Sequence, residues 1–406
     1  MINYVYLSNK DYDGSVYETQ IIDWLNIYEK HGCKFYLYQF LHVKNILFYD
    51  KNRILNRILD KRYKDFKGFI LQFPNTKYFY FFNAIIIIFK LRMFLFSNSK
   101  TIIFGRVLIG NEIKIIKYIF GSRFEFIYDA RAASAEEIKY VSNKINNSNK
   151  TIPLYNRVLK LEYETINISK FTYCVSNKLA DYFTTKFHFS NDKFFIYPCL
   201  SDDSKFFYNE NIRKEHRSLL GLAMDDIVII YSGGFTEAWH QSNRILVFFD
   251  KLSLYNPKYK FIVLTKDKKY ALKTIVSLNL NVLNFHIETV KNELVVNYLN
   301  AADFGVLFRE DTPMNRVSSP SKFAEYMLCG LPSLINDNVG DYSIYVQNNN
   351  CGIVIANDFI DFENLTIEIE SFHVNRNEMA INAKDFFSKQ FLVNDILNKF
   401  KDAIQE

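Results

Sequence analysis

With 406 residues the chain exceeds the usual size of one domain, and its 49% apolar and 17% aromatic content supplies core for two. Only 23% of residues are charged, which excludes a disordered chain. The formal net charge of +6 is local: residues 51–100 carry eleven basic side chains against Asp60 and Asp65, a surplus of +9 that leaves the rest at −3, and no recognised nucleic-acid module accompanies it.

Taken in chain order, NYVYLS (3–8) predicts the first strand. The N-terminus reaches an acidic turn too early for a signal peptide. In that turn Asp11-Tyr12-Asp13 copies the spacing of a D-x-D metal motif, but it follows the first strand. We read it as a turn leading through Gly14 and Ser15 toward the ligand side, without metal. A strand over 34–40 follows, and then the basic amphipathic run NRILNRILDKRYKDFKGFI. That run is either a solvated helix face or a surface for an anionic membrane. FYFFNAIIIIFKLRMFLF (79–96) is interrupted by Lys90 and Arg92 and falls short of the roughly 20 apolar residues of a membrane span. It reads as a buried or interfacial helix.

Further strands are expected over 101–105, 124–130, 171–176 and 194–199, separated by helical patterns such as NKLADYFTTKF. Asp129 and Arg131 end one of them, where they line the ligand side or pair with each other. A polar stretch over 200–225 reads as a linker. After it come strands over 226–234, 260–266, 303–309, 332–337 and 351–357. Most of these runs are continuously apolar, as strands covered on both faces are, and repeated β-α units predict parallel sheets. The fold class is therefore α/β, with two Rossmann-like, doubly wound domains, 1–200 and 201–385, facing across a cleft and binding ligands at the carboxyl ends of their strands. Five cysteines without a C-x-x-C pair and seven scattered histidines predict reduced, buried thiols in a cytosolic protein and no structural zinc. The chain lacks a G-x-x-x-x-G-K-[ST] loop, which excludes an ATPase of that type.

The sharpest candidate site lies in SSPSKFAEYMLCGLPSLINDNVGD (318–341). Ser318 or Ser319 suits the N-cap of a helix and Pro320 its first position. Phe323, Met327 and Leu328 form the inward stripe. Lys322 and Glu325 stand one turn apart on another face. A first-turn lysine opposes the helix dipole unless an anion sits nearby, and a helix start suits a diphosphate. Glu325 can accept hydrogen bonds from vicinal hydroxyls such as those of a ribose. Alone, the pair would pass for an exposed Lys–Glu contact. Arg309 at a strand end and Arg316 just beyond bring two guanidinium forks to the same helix start. Gly233 and Gly234 after another strand allow close backbone approach to a ligand.

These segments, YSGGFTEAWHQ (231–241), NELVVNYLNAADFGVLFRE (292–310) and NRVSSPSKFAEYMLCGLPSLINDNVGD (315–341), resemble the donor-binding half of retaining glycosyltransferase family 4 enzymes of the GT-B fold, and the N-terminal half resembles theirs more loosely. The P-x-K-x-x-E-Y-x-x-x-G-x-P core carries most of the likeness. The resemblance implies transfer of a hexosyl or N-acetylhexosaminyl group (EC 2.4) from a UDP- or GDP-linked donor with retention, in cell-surface polysaccharide synthesis. No cofactor or metal is implied. Glu325 would hold the donor ribose, and Lys322, Arg309 and Arg316 would lie at the diphosphate as catalytic cations. Gly233, Gly234, Ser318, Ser319 and Trp239 would complete the donor site. Asp13, Gly14, Ser15, Arg106, Asp129 and Arg131 would line the acceptor side. The acceptor would be a glycan or lipid-linked, reached at the cytoplasmic face of the inner membrane through segment 51–100. The helix over 386–406 would pack back on the first domain.

Three positions depart from the family pattern. Val317 stands where a sugar-contacting glutamate is common, no base follows Gly234, and Phe104 replaces a frequent histidine. His240 reads as structural. These departures keep two alternatives open: a non-catalytic partner subunit and a sugar-nucleotide epimerase.

Overall fold

The computed structural model describes residues 2–9, 17–43, 63–74, 76, 78–144, 148–236, 241–281, 283, 285–358 and 360–405. The chain divides into two compact units, Met1–Tyr197 together with Val393–Glu406, and Pro198–Leu392. The helix Lys389–Gln405 carries the chain from the second unit into the first.

Among the described residues, unit one contains strands β1 (Ile2–Ser8), β2 (Phe35–His42), β3 (Phe66–Gln72), β4 (Lys100–Arg106), β5 (Phe124–Ala130), β6 (Thr172–Cys174) and β7 (Phe194–Ile196). They form one parallel sheet in the order β3-β2-β1-β4-β5-β6-β7. The order reverses between β1 and β4, where register pairs Ser8 with Arg106. Unit two contains β8 (Ile227–Ser232), β9 (Tyr259–Leu264), β10 (Phe285–Glu288), β11 (Phe304–Leu307), β12 (Ser333–Asn336) and β13 (Gly352–Ile355), also parallel, in the order β10-β9-β8-β11-β12-β13. Its reversal falls between β8 and β11. At such a reversal the connections leave in opposite directions and open a crevice at the carboxyl ends of the strands.

The central strands are apolar on both faces because helices cover both. In β4 every residue after Lys100 is buried, and in β11 and β12 all four residues are. Two strands, β3 and β10, went unpredicted. Both lie at sheet edges, where one side lacks a partner and the burial pattern is broken. β3 begins within the run that reads as a basic amphipathic helix. Residues 52–62 of that run lie outside the described residues.

In unit two the helix Ser321–Leu328 buries Phe323, Met327 and Leu328 in one core cluster with Val228, Ile230 and Leu307. Gly305 on β11 makes room for this helix: a Cβ there would come within 2.5 Å of the Tyr326 ring. All five cysteines are buried.

Candidate functional site

Unit two brings two of the sequence-predicted donor residues, Gly233 and Lys322, together at the end of β8. β8 ends at Ser232, and Gly233 continues it by donating its N–H to Leu264 O at 2.9 Å. The turn is fixed from both sides. Tyr231 Oη donates to Gly234 O at 2.7 Å, and Asp267 Oδ2 accepts from Phe235 N at 2.8 Å and from Thr236 Oγ1 at 3.3 Å. A Cβ on Gly233 would lie 2.7 Å from Tyr231 Oη and 2.9 Å from Lys322 Cε. Absence of a side chain at 233 is therefore what lets the Lys322 stem run along this turn.

Lys322 occupies the first turn of Ser321–Leu328. The N-cap is Pro320, with no side-chain cap and no acidic residue in the first turn. This corrects the expectation of a serine cap. Ser318 Oγ donates to Asn315 O at 2.8 Å, while Ser319 Oγ accepts from Cys199 N at 3.0 Å and pairs with Tyr342 Oη at 2.7 Å. Both hydroxyls hold the loop rather than the helix start. Pro320 lacks an N–H and takes the extended conformation before the helix, so the helix begins one residue later than expected. Gly340 packs against the same loop in a left-handed conformation, φ +51°, with its missing Cβ directed at Ser318 O.

One turn beyond Lys322, Glu325 is half-buried, and burial raises its pKa while the Lys322 and Lys389 ammonium groups act in the opposite direction. Arg309 follows β11 and is 8% exposed. Its N–H donates to Asn336 Oδ1 at 2.9 Å, which ties the end of β11 to β12. Burial raises the pKa of the Tyr326 hydroxyl, with Glu325 adding to the rise and Arg309 opposing it. Lys322 is thus seated against the Gly233 turn, with Arg309 at the end of the neighbouring central strand.

Arg316 does not extend this cluster as expected. Its Nε and Nη2 bind Asp311 Oδ1 and Oδ2 at 2.6 and 2.8 Å on the surface, so the fork expected for phosphate is occupied by a carboxylate. The adjacent turn Pro313–Arg316, capped by Thr312, directs it there. Val317 is buried. Trp239, with His240, lies outside the described residues.

Unit one places Arg106 at the end of β4 and Asp129 near the end of β5, with Arg131 just beyond. Asp129 and Arg131 pair: Arg131 Nε stands 2.6 Å from Asp129 Oδ1, and Tyr6 Oη donates to Asp129 Oδ2 at 2.7 Å. Both also line a cavity of about 530 Å³ together with Arg106. The pair and the cavity lining therefore involve the same two side chains. Asp13, Gly14 and Ser15 lie outside the described residues.

Several positioning residues escaped the sequence. Asp267, just before the helix Lys268–Ser277, holds the glycine turn, Asn336 at the end of β12 holds the Arg309 backbone, and Arg157 reaches the unit-one cavity from the helix Ser148–Ile168. No local motif marks a polar residue whose role arises from packing across strands. The Tyr of P-x-K-x-x-E-Y did mark Tyr326. Among the described residues, no cluster of three or more His, Cys, Asp or Glu side chains could hold a metal ion, and no helix is long and apolar enough to cross a membrane.

No family model and no curated protein sequence matches the chain. Solved structures do. Anabaena HepE in complex with UDP superposes with a TM-score of 0.69 at 12% identity, covering 98% of this chain and 100% of that one. Sucrose-phosphate synthase from Thermosynechococcus elongatus gives 0.69 at 12% identity over 99% and 100%. A glycosyltransferase from Rickettsia africae gives 0.67 at 12% identity over 100% and 99%. These neighbours are GT-B glycosyltransferases, and the two parallel Rossmann-like units of this chain are those of the GT-B fold.

Proposed function

We propose that the protein is a glycosyltransferase that moves a hexosyl-type group from a UDP- or GDP-linked donor to a glycan or lipid-linked acceptor with retention, in cell-surface polysaccharide synthesis. The observation that carries this reading is the uncapped helix start at residue 321 with Lys322 lying along the Gly233 turn, one helical turn from Glu325. An uncapped start leaves backbone N–H groups and a positive partial charge for an anion. Lys322 and Arg309 add full charges where negative charge grows on a departing diphosphate, so the barrier falls without a metal ion. Glu325 accepts from the ribose hydroxyls. The donor phosphate takes the acceptor proton as the new bond forms on the same face. The neighbours' complexes with UDP and UDP-glucose are in keeping with this donor class.

The acceptor and localisation belong to the same proposal. The helix Tyr80–Leu95 exposes Phe81, Ile85, Phe89 and Met93 at i, i+4 spacing, with Lys90 and Arg92 exposed beside them. An apolar stripe flanked by cations suits the cytoplasmic face of an anionic membrane. Co-sedimentation with phosphatidylglycerol vesicles but not with phosphatidylcholine vesicles is expected. Equal recovery in both pellets would remove the membrane from the proposal.

The donor site is tested by thermal shift with UDP, GDP, ADP and CMP, with and without magnesium. One of UDP and GDP should raise the midpoint regardless of magnesium, since a ligand at 100 times its Kd stabilises by about 2.7 kcal/mol. Glu325→Ala should weaken that nucleotide about tenfold, as loss of a charged acceptor costs roughly 1.5–3 kcal/mol. Burial raises the Glu325 pKa, so affinity should fall on acidification at a pH above the ordinary carboxylate range. A chain that no nucleotide stabilises has no donor site. The buried Val317 in place of a sugar-contacting glutamate would then favour a non-catalytic partner subunit.

A further inference from the structure

The unit-one cavity has a charge pattern that the general reading does not use. Its ionisable lining is Arg106, Arg131, Arg157, Asp129 and Glu137, with His42 beside them. Arg131 is matched by Asp129, whose second oxygen takes the Tyr6 hydroxyl. The Arg131 guanidinium also lies over the Tyr197 ring at 4.6 Å. Arg106 is different. It is 6% exposed, and its Nη2 donates to Gln20 Oε1 at 2.5 Å. Its Nε and Nη1 are buried with no hydrogen-bond partner among the described residues. A buried guanidinium with two nitrogens left without an acceptor is destabilising unless something accepts from it. Gln20 sits on the π-helical turn Glu18–Ile22, which fixes one edge of the guanidinium. Arg106 ends β4 at the β1/β4 reversal, where a ligand is expected in this kind of sheet. Burial lowers the His42 pKa, so that ring is a neutral hydrogen-bonding group near pH 7 rather than a further cation.

We propose that this cavity binds a phosphorylated sugar, with Arg106 and Arg157 on the phosphate. The identification rests on the transferase reading and specifies its acceptor class. The remaining charge is positive, and the Arg106 Nε and Nη1 donors left without a partner among the described residues suit the oxygens of a phosphate. A lone phosphate is too small for about 530 Å³, a volume within the range of small-molecule sites. Asn9, His42, Gln72 and Ser134 line the same space and suit sugar hydroxyls, while Leu154 and Val158 give an apolar wall for a ring. The phosphate comes from a soluble sugar phosphate or from a lipid-linked sugar.

The test measures binding to the purified full chain by calorimetry, with glucose 6-phosphate and glucose as soluble probes. Phosphatidylcholine vesicles with and without a polyprenyl phosphate probe the lipid source. Wild type should prefer glucose 6-phosphate over glucose, or the polyprenyl-phosphate vesicles over plain ones, by at least about tenfold, the size of one charge-assisted hydrogen bond. Arg106→Gln should remove that preference while nucleotide binding stays at its wild-type value. Should Arg106→Gln fail to fold, Arg157→Gln on the exposed face of its helix carries the same comparison with a partial loss. No preference for phosphate from either source, or a preference unchanged in the folded variant, overturns the proposal. Nucleotide affinity is read separately, so loss of the donor site and loss of this site give different results.

Discussion

Lys322→Ala should lower the rate of sugar transfer roughly 10²–10³-fold, the loss seen when one preorganised group facing developing negative charge is removed. The same substitution should leave the thermal midpoint unchanged or slightly raised. A lysine in the first turn of a helix works against the dipole, so its removal relieves about 0.3–1 kcal/mol of local repulsion. Lost activity with retained stability is what a functional cation predicts. A surface lysine paired with Glu325 would lose neither. Gly233→Ala reaches the same point from the other side. Its Cβ would stand 2.9 Å from Lys322 Cε and 2.7 Å from Tyr231 Oη, so the lysine stem has to move. A smaller loss, about tenfold, is expected because the charge is displaced rather than deleted. Turnover of Lys322→Ala equal to wild type would remove the residue from the chemistry.

The legible parts of the fold and the opaque ones have a common cause. Largely apolar runs announced β1, β4, β5, β8 and β11 because most of their residues are buried between covering helices. β3 and β10 are edge strands with one open side, so their sequences admit charge: Lys67 on one, His286 and Glu288 on the other. The motif around Pro320 was visible because Lys322, Glu325 and Tyr326 stand on one helix at fixed spacing. Arg316 was misplaced because its pairing with Asp311 depends on the loop shape set by Thr312 and Pro313, which spacing along the chain does not encode. Arg106 was visible only by its position. Its unused N–H groups depend on which neighbours the fold brings near it, and Gln20 on the Glu18–Ile22 turn takes only one of its nitrogens.

Asp303→Asn should cost about 3–5 kcal/mol in the unfolding of unit two, at the end of its sheet away from the proposed donor site. The helix Val295–Ala301 ends in carbonyls that lack intrahelical partners, and three guanidiniums converge there. Arg213 donates to the carbonyls of Asn300, Ala301 and Ala302 at 3.1, 3.2 and 2.9 Å. Arg217, fully buried, donates to Ala301 O at 2.8 Å. Arg376 donates to Ala302 O at 2.7 Å, and burial together with the nearby Arg213 lowers its pKa to about 10. Cations at a helix C-terminus are favourable, but three of them repel one another. Asp303 is the carboxylate that binds two of the three, Arg213 at 2.6 Å and Arg217 at 3.2 Å, and it also accepts from Val228 N at 2.7 Å. An amide at 303 keeps the shape and removes the charge, leaving Arg217 buried without its counter-ion. For a unit of this size the loss amounts to a fall of about 10 °C or more in the midpoint. Asp303 lies at the amino ends of β8 and β11, opposite the Gly233 turn and Arg309. Nucleotide affinity measured well below the midpoint should therefore stay within about twofold of wild type. A variant as stable as the parent would mean that the helix carbonyls alone hold the three arginines.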